Sequence, residues 1–310
     1  MADAVHVRGL TKTYGSLAAV AGIDFAVPEG KVFAFLGPNG AGKTTTVEIL
    51  EGLRRRSSGE VTVLGLDPWD DGRRLHAKVG VIPQEFRFFE KIHPVEAIEY
   101  YAALFGTRVD AMGLLRRVAL EDKAGARFET LSGGQKQKLG LALALTNDPT
   151  ICFLDEPTTG LDPQARRAIW QVIRDLRSEG RTVFLTTHYL EEAQILADQV
   201  AIIDHGRIIA RGTPDEIIAQ HGRPPRLRVQ AGPGMAPYLR EALGVTATFV
   251  DGYVEVPLPN KHEALRILSA LEGSGVPWEG FATVTDTLED VFVHLVGRMD
   301  DGVLKPGAPP

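Results

Sequence analysis

Gly37-Pro38-Asn39-Gly40-Ala41-Gly42-Lys43-Thr44 is the stretch that decides the fold. It follows an apolar strand-like run, Val32–Leu36, and opens a helical pattern spanning Lys43–Leu53. Glycines at this spacing let backbone N–H groups turn inward around an anion with no Cβ in the way. A helix N-terminus behind the loop adds a favourable dipole for phosphate. The pattern G-x-x-x-x-G-K-[ST] between a strand and a helix is therefore a nucleotide-phosphate cradle. Its Lys43 ammonium reaches the β- and γ-phosphates and its Thr44 hydroxyl serves as an Mg²⁺ ligand.

Two further segments carry chemistry. Ile151-Cys152-Phe153-Leu154-Asp155-Glu156 reads as a buried strand whose carboxylates emerge at its C-terminal end, where ligands bind in open α/β sheets. Asp155 is placed to hold Mg²⁺ and Glu156 to polarise an attacking water. By itself the dipeptide could equally cap the next helix; with a phosphate loop in the same domain it becomes a Walker B with its catalytic glutamate. Leu131-Ser132-Gly133-Gly134-Gln135 precedes a helix and offers a hydroxyl, two glycines and a helix N-terminus, a second anion site. One nucleotide does not easily use two such sites on one chain, so the economical arrangement is a dimer in which this segment covers the γ-phosphate bound by the other protomer. Alone, the same segment is a turn with an N-cap at Ser132. Cys152, the one cysteine, excludes an internal disulfide framework and reads as core packing.

In this order the motifs resemble the ATP-binding-cassette (ABC) ATPase family, over about residues 4–215. The resemblance implies an α/β P-loop nucleotide-binding domain with a RecA-like core, an antiparallel β subdomain and a helical subdomain. It implies ATP with Mg²⁺ as the bound group, cradled by Gly37, Asn39, Gly40, Gly42, Lys43, Thr44 and Thr45. Tyr14 matches the aromatic that stacks on adenine. Gln84, in Val81-Ile82-Pro83-Gln84, matches the Q-loop glutamine that senses Mg²⁺ and γ-phosphate, so Thr44, Gln84 and Asp155 form the metal set. Asp162, in Gly160-Leu161-Asp162, matches the D-loop aspartate, and His188 the switch histidine that contacts γ-phosphate. Ser132, Gly134, Gln135 and Asp162 would act in trans across a homodimer. No family catalytic position is degenerate, so both sites of that dimer are expected to be competent, with Glu156, His188, Lys43 and Gln84 as the catalytic group.

Outward from the motifs, residues 1–215 alternate short apolar runs with helical patterns, the signature of parallel strands covered by helices. The runs are Lys31–Leu36, Val61–Val63, Val79–Ile82, Ile151–Leu154, Thr182–Thr186 and Val200–Ile203. The first 35 residues read instead as short strands joined by turns, an antiparallel appendage. Gln220–Pro225, with two prolines, a glycine and no apolar periodicity, reads as a linker after a first domain over 1–219. Beyond it the order β-α-β-β-α-β, with an Asp251-Gly252 hairpin signal, predicts a small α+β ferredoxin-like domain over 226–298. Residues 299–310 are Gly/Pro-rich and read as a disordered tail.

Composition bounds what such a chain does. Of 310 residues, 44% are hydrophobic and 24% charged, which excludes disorder and fibrous classes. A net charge of −6 lacks the basic footprint of a dedicated nucleic-acid binder. No apolar stretch approaches the ~18 residues that span a bilayer. A cassette of this kind is expected to work through a separate transmembrane permease, at the cytoplasmic face of the membrane. In the family, the surface after the Q-loop receives a short helix from that subunit; here it carries Phe86, Phe88 and Phe89, readable as core or as an interface. Thr287-Leu288-Glu289-Asp290-Val291-Phe292 resembles the closing motif of daunorubicin-resistance-type export ATPases, which implies a drug or antibiotic exporter with its C-terminal domain in dimer contact or regulation. Importers, polysaccharide or lipid exporters, and cassettes acting on ribosomes or DNA are the alternatives.

Overall fold

The computed structural model describes residues 2–82 and 86–300. They divide into two compact units, one up to Pro214 and one over Asp215–Gly297. In the first unit β1 (Asp3–Tyr14), β2 (Leu17–Pro28), β3 (Val32–Leu36), α1 (Lys43–Leu50), β4 (Ser58–Val63), α2 (Gly72–His76) and β5 (Val79–Ile82) precede a helical stretch. That stretch comprises α3 (Pro94–Leu104), α4 (Ala111–Arg117) and α5 (Gly133–Ala144). Then come β6 (Ile151–Asp155), α6 (Pro163–Ser178), β7 (Thr182–Thr186), α7 (Leu190–Leu196), β8 (Gln199–Asp204) and β9 (Arg207–Gly212).

The main sheet has the order β5-β6-β7-β3-β8-β9, parallel through β8 with β9 antiparallel at the edge. Its central strands are apolar without alternation because both faces are covered. Phe33, Phe35, Phe153 and Phe184 point to one face, where they meet Val5, Val7, Phe25 and Val27 of β1 and β2. Val32, Cys152, Leu154, Val183 and Leu185 point to the other, into a core shared with Leu139, Leu141, Ile169 and Ile173 of α5 and α6. The period of two thus sorts one strand into two cores, and Cys152, fully buried in the second, has its thiol pushed up to about 12 by burial.

Three features depart from the expected pattern. The run Val61–Val63 belongs to β4, which joins the antiparallel sheet β2-β1-β4 with Val63 opposite Val5. The helix after the phosphate loop ends at Leu50 rather than Leu53, because Gly52 takes φ +76° and a Cβ there would lie 2.3 Å from the Pro68 carbonyl oxygen. Strand β9 lies outside the expected set; it returns from β8 through His205 and Gly206, both at positive φ.

The second unit contains α8 (Pro214–His221), β10 (Arg226–Ala231), α9 (Met235–Leu243), β11 (Thr248–Val250), β12 (Tyr253–Pro257), α10 (Lys261–Gly273), β13 (Trp278–Val284) and α11 (Leu288–Asp300). Its sheet order is β11-β12-β10-β13 with every neighbour antiparallel, the ferredoxin-like arrangement expected from β-α-β-β-α-β. Asp251 and Gly252 take φ of 50° and 83°, as a type I′ hairpin requires. Leu227, Val229, Val254 and Val256 of the sheet pack against Met235, Leu239, Ile267 and Leu271 of the two helices. Helix α8 continues through Gln220 and His221, the first residues of the stretch read as a linker. The tail residues 301–310 lie outside the described residues.

Candidate active site

Because β6, β7 and β3 are neighbours and parallel, their carboxyl ends lie side by side, where open α/β sheets bind ligands. The turn after β3 is the phosphate loop, the turn after β6 begins with Asp155-Glu156, and the turn after β7 carries Thr187-His188. Gly37 is obligatory: a Cβ there would meet the Ile203 carbonyl oxygen at 2.2 Å. Gly42, at φ +107°, leaves equally little room against the Ala19 carbonyl, and Gly40 takes φ +80°. Lys43 Nζ donates to the carbonyls of Gly37 (2.7 Å) and Pro38 (3.0 Å), which fixes the ammonium inside the loop. Burial lowers its pKa, and the Glu156 and Asp155 carboxylates pull it back up, so the cation and both acids share one field. Thr44 is exposed at the first turn of α1 and Thr45 half-buried, whereas Thr46 bonds back to the Gly42 carbonyl at 2.9 Å.

Asp155 stands level with Thr186 of β7, whose hydroxyl donates to Asp155 Oδ1. Burial raises the Asp155 pKa, opposed by that hydrogen bond and by Lys43. Glu156 holds φ +48°, and its N–H reaches both the carbonyl and the hydroxyl oxygen of Thr186, each at 3.1 Å. A non-glycine residue in the left-handed region costs on the order of 1 kcal/mol and persists where its surroundings impose it. Here they aim the Glu156 carboxylate at His188, with Oε2 3.3 Å from Nδ1, while Thr159 donates to the same oxygen at 3.1 Å.

The remaining expected residues are placed as follows. Tyr14 is exposed at the end of β1, with Lys12 and Arg54 at 5.1 and 5.4 Å from its ring centre. Ser132 and Gln135 cap α5 reciprocally: Gln135 N donates to Ser132 Oγ (3.3 Å) and Ser132 N to Gln135 Oε1 (2.9 Å). Gly134 sits against Leu161 and Ala165, where a Cβ would lie 3.4 Å from the Leu161 side chain. Asp162 caps α6 through Gln164 N and Ala165 N, both at 2.9 Å. Gln84 lies outside the described residues.

Sequence motifs point to none of Thr186, Thr159 and Thr158. Thr186 is set level with Asp155 by strand register, whereas Thr158 and Thr159 reach Glu192 and Glu156 from the turn that leaves β6. Glu51 is also outside the expected set. It follows α1 directly and is buried, and burial, with the Asp155 and Glu48 carboxylates nearby, raises its pKa to about 8.

The family model described as ABC transporter matches residues 20–159. Daunorubicin resistance ATP-binding protein DrrA3 of Streptomyces coeruleorubidus is 39% identical over 319 residues, covering 99% of this chain and 100% of that one. The chain belongs to the ATP-binding-cassette transporter family. The cassette is also 37% identical to a Nod factor export ATP-binding protein I of Ralstonia nicotianae, covering 95% of this chain and 94% of that protein. Among solved structures it is similar to an ATP-binding subunit of an ABC transporter (TM-score 0.64, 29% identity, 70% of this chain and 93% of that chain). It is likewise similar to the dimeric post-hydrolysis cassette MJ0796 bound to ADP and Pi (TM-score 0.61, 27% identity, 67% of this chain and 98% of that chain). It is an ATPase subunit, and none of its described helices is long and apolar enough to cross a membrane.

Mg²⁺ fits the donor set. Such an ion usually takes one or two carboxylates together with phosphate oxygens rather than a protein cage. Thr44 and Asp155 would be its oxygen donors here, and a divalent cation would offset the burial that raises the pKa of the half-buried Asp155.

Proposed function

We propose that two copies of this chain close around two ATP molecules and power export of a drug- or antibiotic-like or lipophilic compound through a separate membrane subunit. One observation supports this: similarity to the daunorubicin-resistance protein runs through 99% of the chain and thus through both units, whereas the solved cassettes match 67–79% of it. An importer cassette shares the first unit without that reason to share the second. The Nod factor export relative, at similar identity and coverage, supports a second reading in which the cargo is of the kind its name states.

In this reading residues 1–219 are the engine, 220–225 the linker and 226–298 a dimer-contact or regulatory domain. Tyr14 stacks on the base, while Gly37, Asn39, Gly40, Gly42, Lys43, Thr44 and Thr45 hold the phosphates. Thr44, Asp155 and Gln84 would hold Mg²⁺, which when bound would supply positive charge against the phosphate oxygens. Glu156 orients water and accepts its proton, and His188, held against the same carboxylate, steadies the γ-phosphate. Ser132, Gly134, Gln135 and Asp162 act on the partner's nucleotide; in that complex the caps at Ser132 and Asp162 present their helix N-termini to it.

The permease meets an aromatic patch following Gln84. Phe86 and Phe88 pack into the helical core, but Phe89 is 65% exposed, edge-on to Phe88 (5.3 Å) and Tyr100 (6.2 Å). Exposed aromatics clustered this way suit a protein interface. The test is purification from detergent-solubilised membranes followed by ATP-driven transport in inside-out vesicles. A bound multi-helix subunit and ATP-dependent accumulation support export; ribosome association, or uptake in right-side-out vesicles, defeats it.

A further inference from the structure

One buried carboxylate belongs to none of the motifs. Glu192 is 0% exposed in the first turn of α7, yet its Oε1 accepts Trp170 Nε1–H at 2.8 Å and its Oε2 accepts the Thr158 hydroxyl at 3.1 Å. The Thr187 hydroxyl is a third donor, and Thr187 Oγ1 in turn accepts the Tyr189 N–H at 3.0 Å. The Glu192 N–H itself closes onto the Tyr189 carbonyl at 3.0 Å. Arg166 supplies the countercharge, its guanidinium lying 4.1 Å from the centre of the Tyr189 ring, which in turn lies 4.1 Å from the His188 ring.

These partners come from three segments. Thr158 belongs to the turn that leaves β6 and contains Asp162; Thr187 and Tyr189 flank His188; Trp170 and Arg166 belong to α6. Adjacent threonines divide the work. Thr159 donates outward to Glu156 Oε2, and Thr158 donates inward to Glu192 Oε2. The carboxylate that orients water is therefore tied through one dipeptide to the carboxylate that anchors the histidine segment. A buried carboxylate held by three donors in this way favours a single arrangement, and losing one member leaves the others short of a partner.

We propose that Glu192 is a positioning residue for ATP hydrolysis, holding the Glu156-Thr159 turn and the His188 segment in one register, so that displacement of the Asp162 turn by a partner protomer is transmitted to His188. This rests on the roles assigned above to Glu156 and His188. Glu192→Gln keeps the shape but puts an amide N–H against a donor that has no other acceptor. For the purified full-length chain we expect kcat to fall about 10- to 100-fold, as misplacing a catalytic pair by a fraction of an ångström does, with KM for ATP within about twofold of the parent. Thr158→Val, which removes the hydroxyl at constant volume, produces the same split, and Thr158→Ser recovers most of it.

Trp170 gives a readout that a merely structural role would not move. Its indole N–H resonance, assigned through Trp170→Phe, shifts when Mg²⁺-ATP is added to the parent chain and stays in place in Glu192→Gln. Parental kcat in Glu192→Gln and Thr158→Val, a rise in KM at unchanged kcat, or an indole signal indifferent to nucleotide each overturns the proposal. If Glu192→Gln does not fold, the Thr158 pair decides. Full turnover by Glu156→Gln and His188→Ala overturns the underlying site assignment instead; if those two are inactive while Glu192→Gln and Thr158→Val turn over normally, only the role of Glu192 falls.

Discussion

Glu156 keeps a left-handed backbone, φ +48°, at the one position where the strand must release a carboxylate toward His188. Strain at that site is sustained by two hydrogen bonds from its N–H to Thr186. Glu156→Gln keeps the shape and loses the base, so it is expected to bind ATP normally, to drop kcat by about 10²- to 10⁴-fold, and to accumulate as an ATP-bound dimer on size-exclusion chromatography. Full turnover would remove Glu156 from the mechanism. Glu51 makes a separate prediction. It holds its proton in the folded chain up to about pH 8, against an ordinary value of 4.5, so folding takes up a proton across that window. The stabilisation is fully present below the unfolded value and is lost as pH rises toward 8. Relative to Glu51→Gln, the stability of the parent should therefore fall by about 1.4 kcal/mol per pH unit between pH 5 and 8. Urea unfolding without nucleotide measures this, and parallel profiles for the two proteins would contradict it. The residues of the phosphate loop are legible from sequence because their chemistry is local: glycines, a lysine and a hydroxyl within eight positions. Thr186 and Glu192 are not, since their partners lie 31, 34 and 22 positions away and are set by strand register and helix packing.

At the scale of elements, the site exists because β3 is inserted between β7 and β8, which brings three turns from distant parts of the chain to one sheet edge. Runs such as Val32–Leu36 and Thr182–Thr186 reveal buried strands but carry no strand order, so the neighbourhood of β6, β7 and β3 is known only from the fold. The run Val61–Val63 fails for the related reason that three apolar-alternating residues suit either sheet, and pairing with β1 decides it. Helix α11 shows the opposite case, a motif with a wholly local explanation. Thr287 N and its hydroxyl both donate to Asp290 Oδ2 at 2.8 Å, and Asp290 N donates back to Thr287 Oγ1 at 3.2 Å. Leu288, Val291 and Leu295 are buried, and Asp286 just before the cap accepts from Arg226 at 2.7 Å and from the Arg223 N–H at 2.8 Å. The Thr-Leu-Glu-Asp-Val-Phe segment is thus a capping box followed by an apolar stripe, locked to β10 by a buried acid. Thr287→Ala is expected to cost about 1 kcal/mol, lowering the melting of the second unit while the affinity for ATP stays unchanged. Equal loss of nucleotide binding would mean that α11 supports the cassette itself.

For the whole molecule, the proposed dimer does transport work only if its closure moves something else. The proposed nucleotide-sensing Gln84 and the proposed permease surface follow one another in sequence after β5. Of that stretch residues 83–85 lie outside the described residues, but its far end is well placed: Phe86 meets Phe128 edge-on at 5.7 Å, and Phe128 lies four residues before Ser132. The aromatic run therefore has two jobs. Phe86 and Phe88 anchor the helical core, and Phe89 projects beside Tyr100, which is 46% exposed. Burying a large aromatic against a partner contributes roughly 2 kcal/mol or more, and such residues dominate interface energetics. Phe89→Asp should leave folding and ATP turnover of the isolated chain at parental levels, because the side chain contributes little to the core. It should abolish co-purification with the membrane subunit and, with it, ATP-dependent transport in vesicles. Phe86→Asp is the matched control: it buries a charge in the helical core and should lower the melting temperature and ATP turnover together. Retained transport by Phe89→Asp would move the coupling surface away from this patch and leave Phe89 as an incidental exposed aromatic.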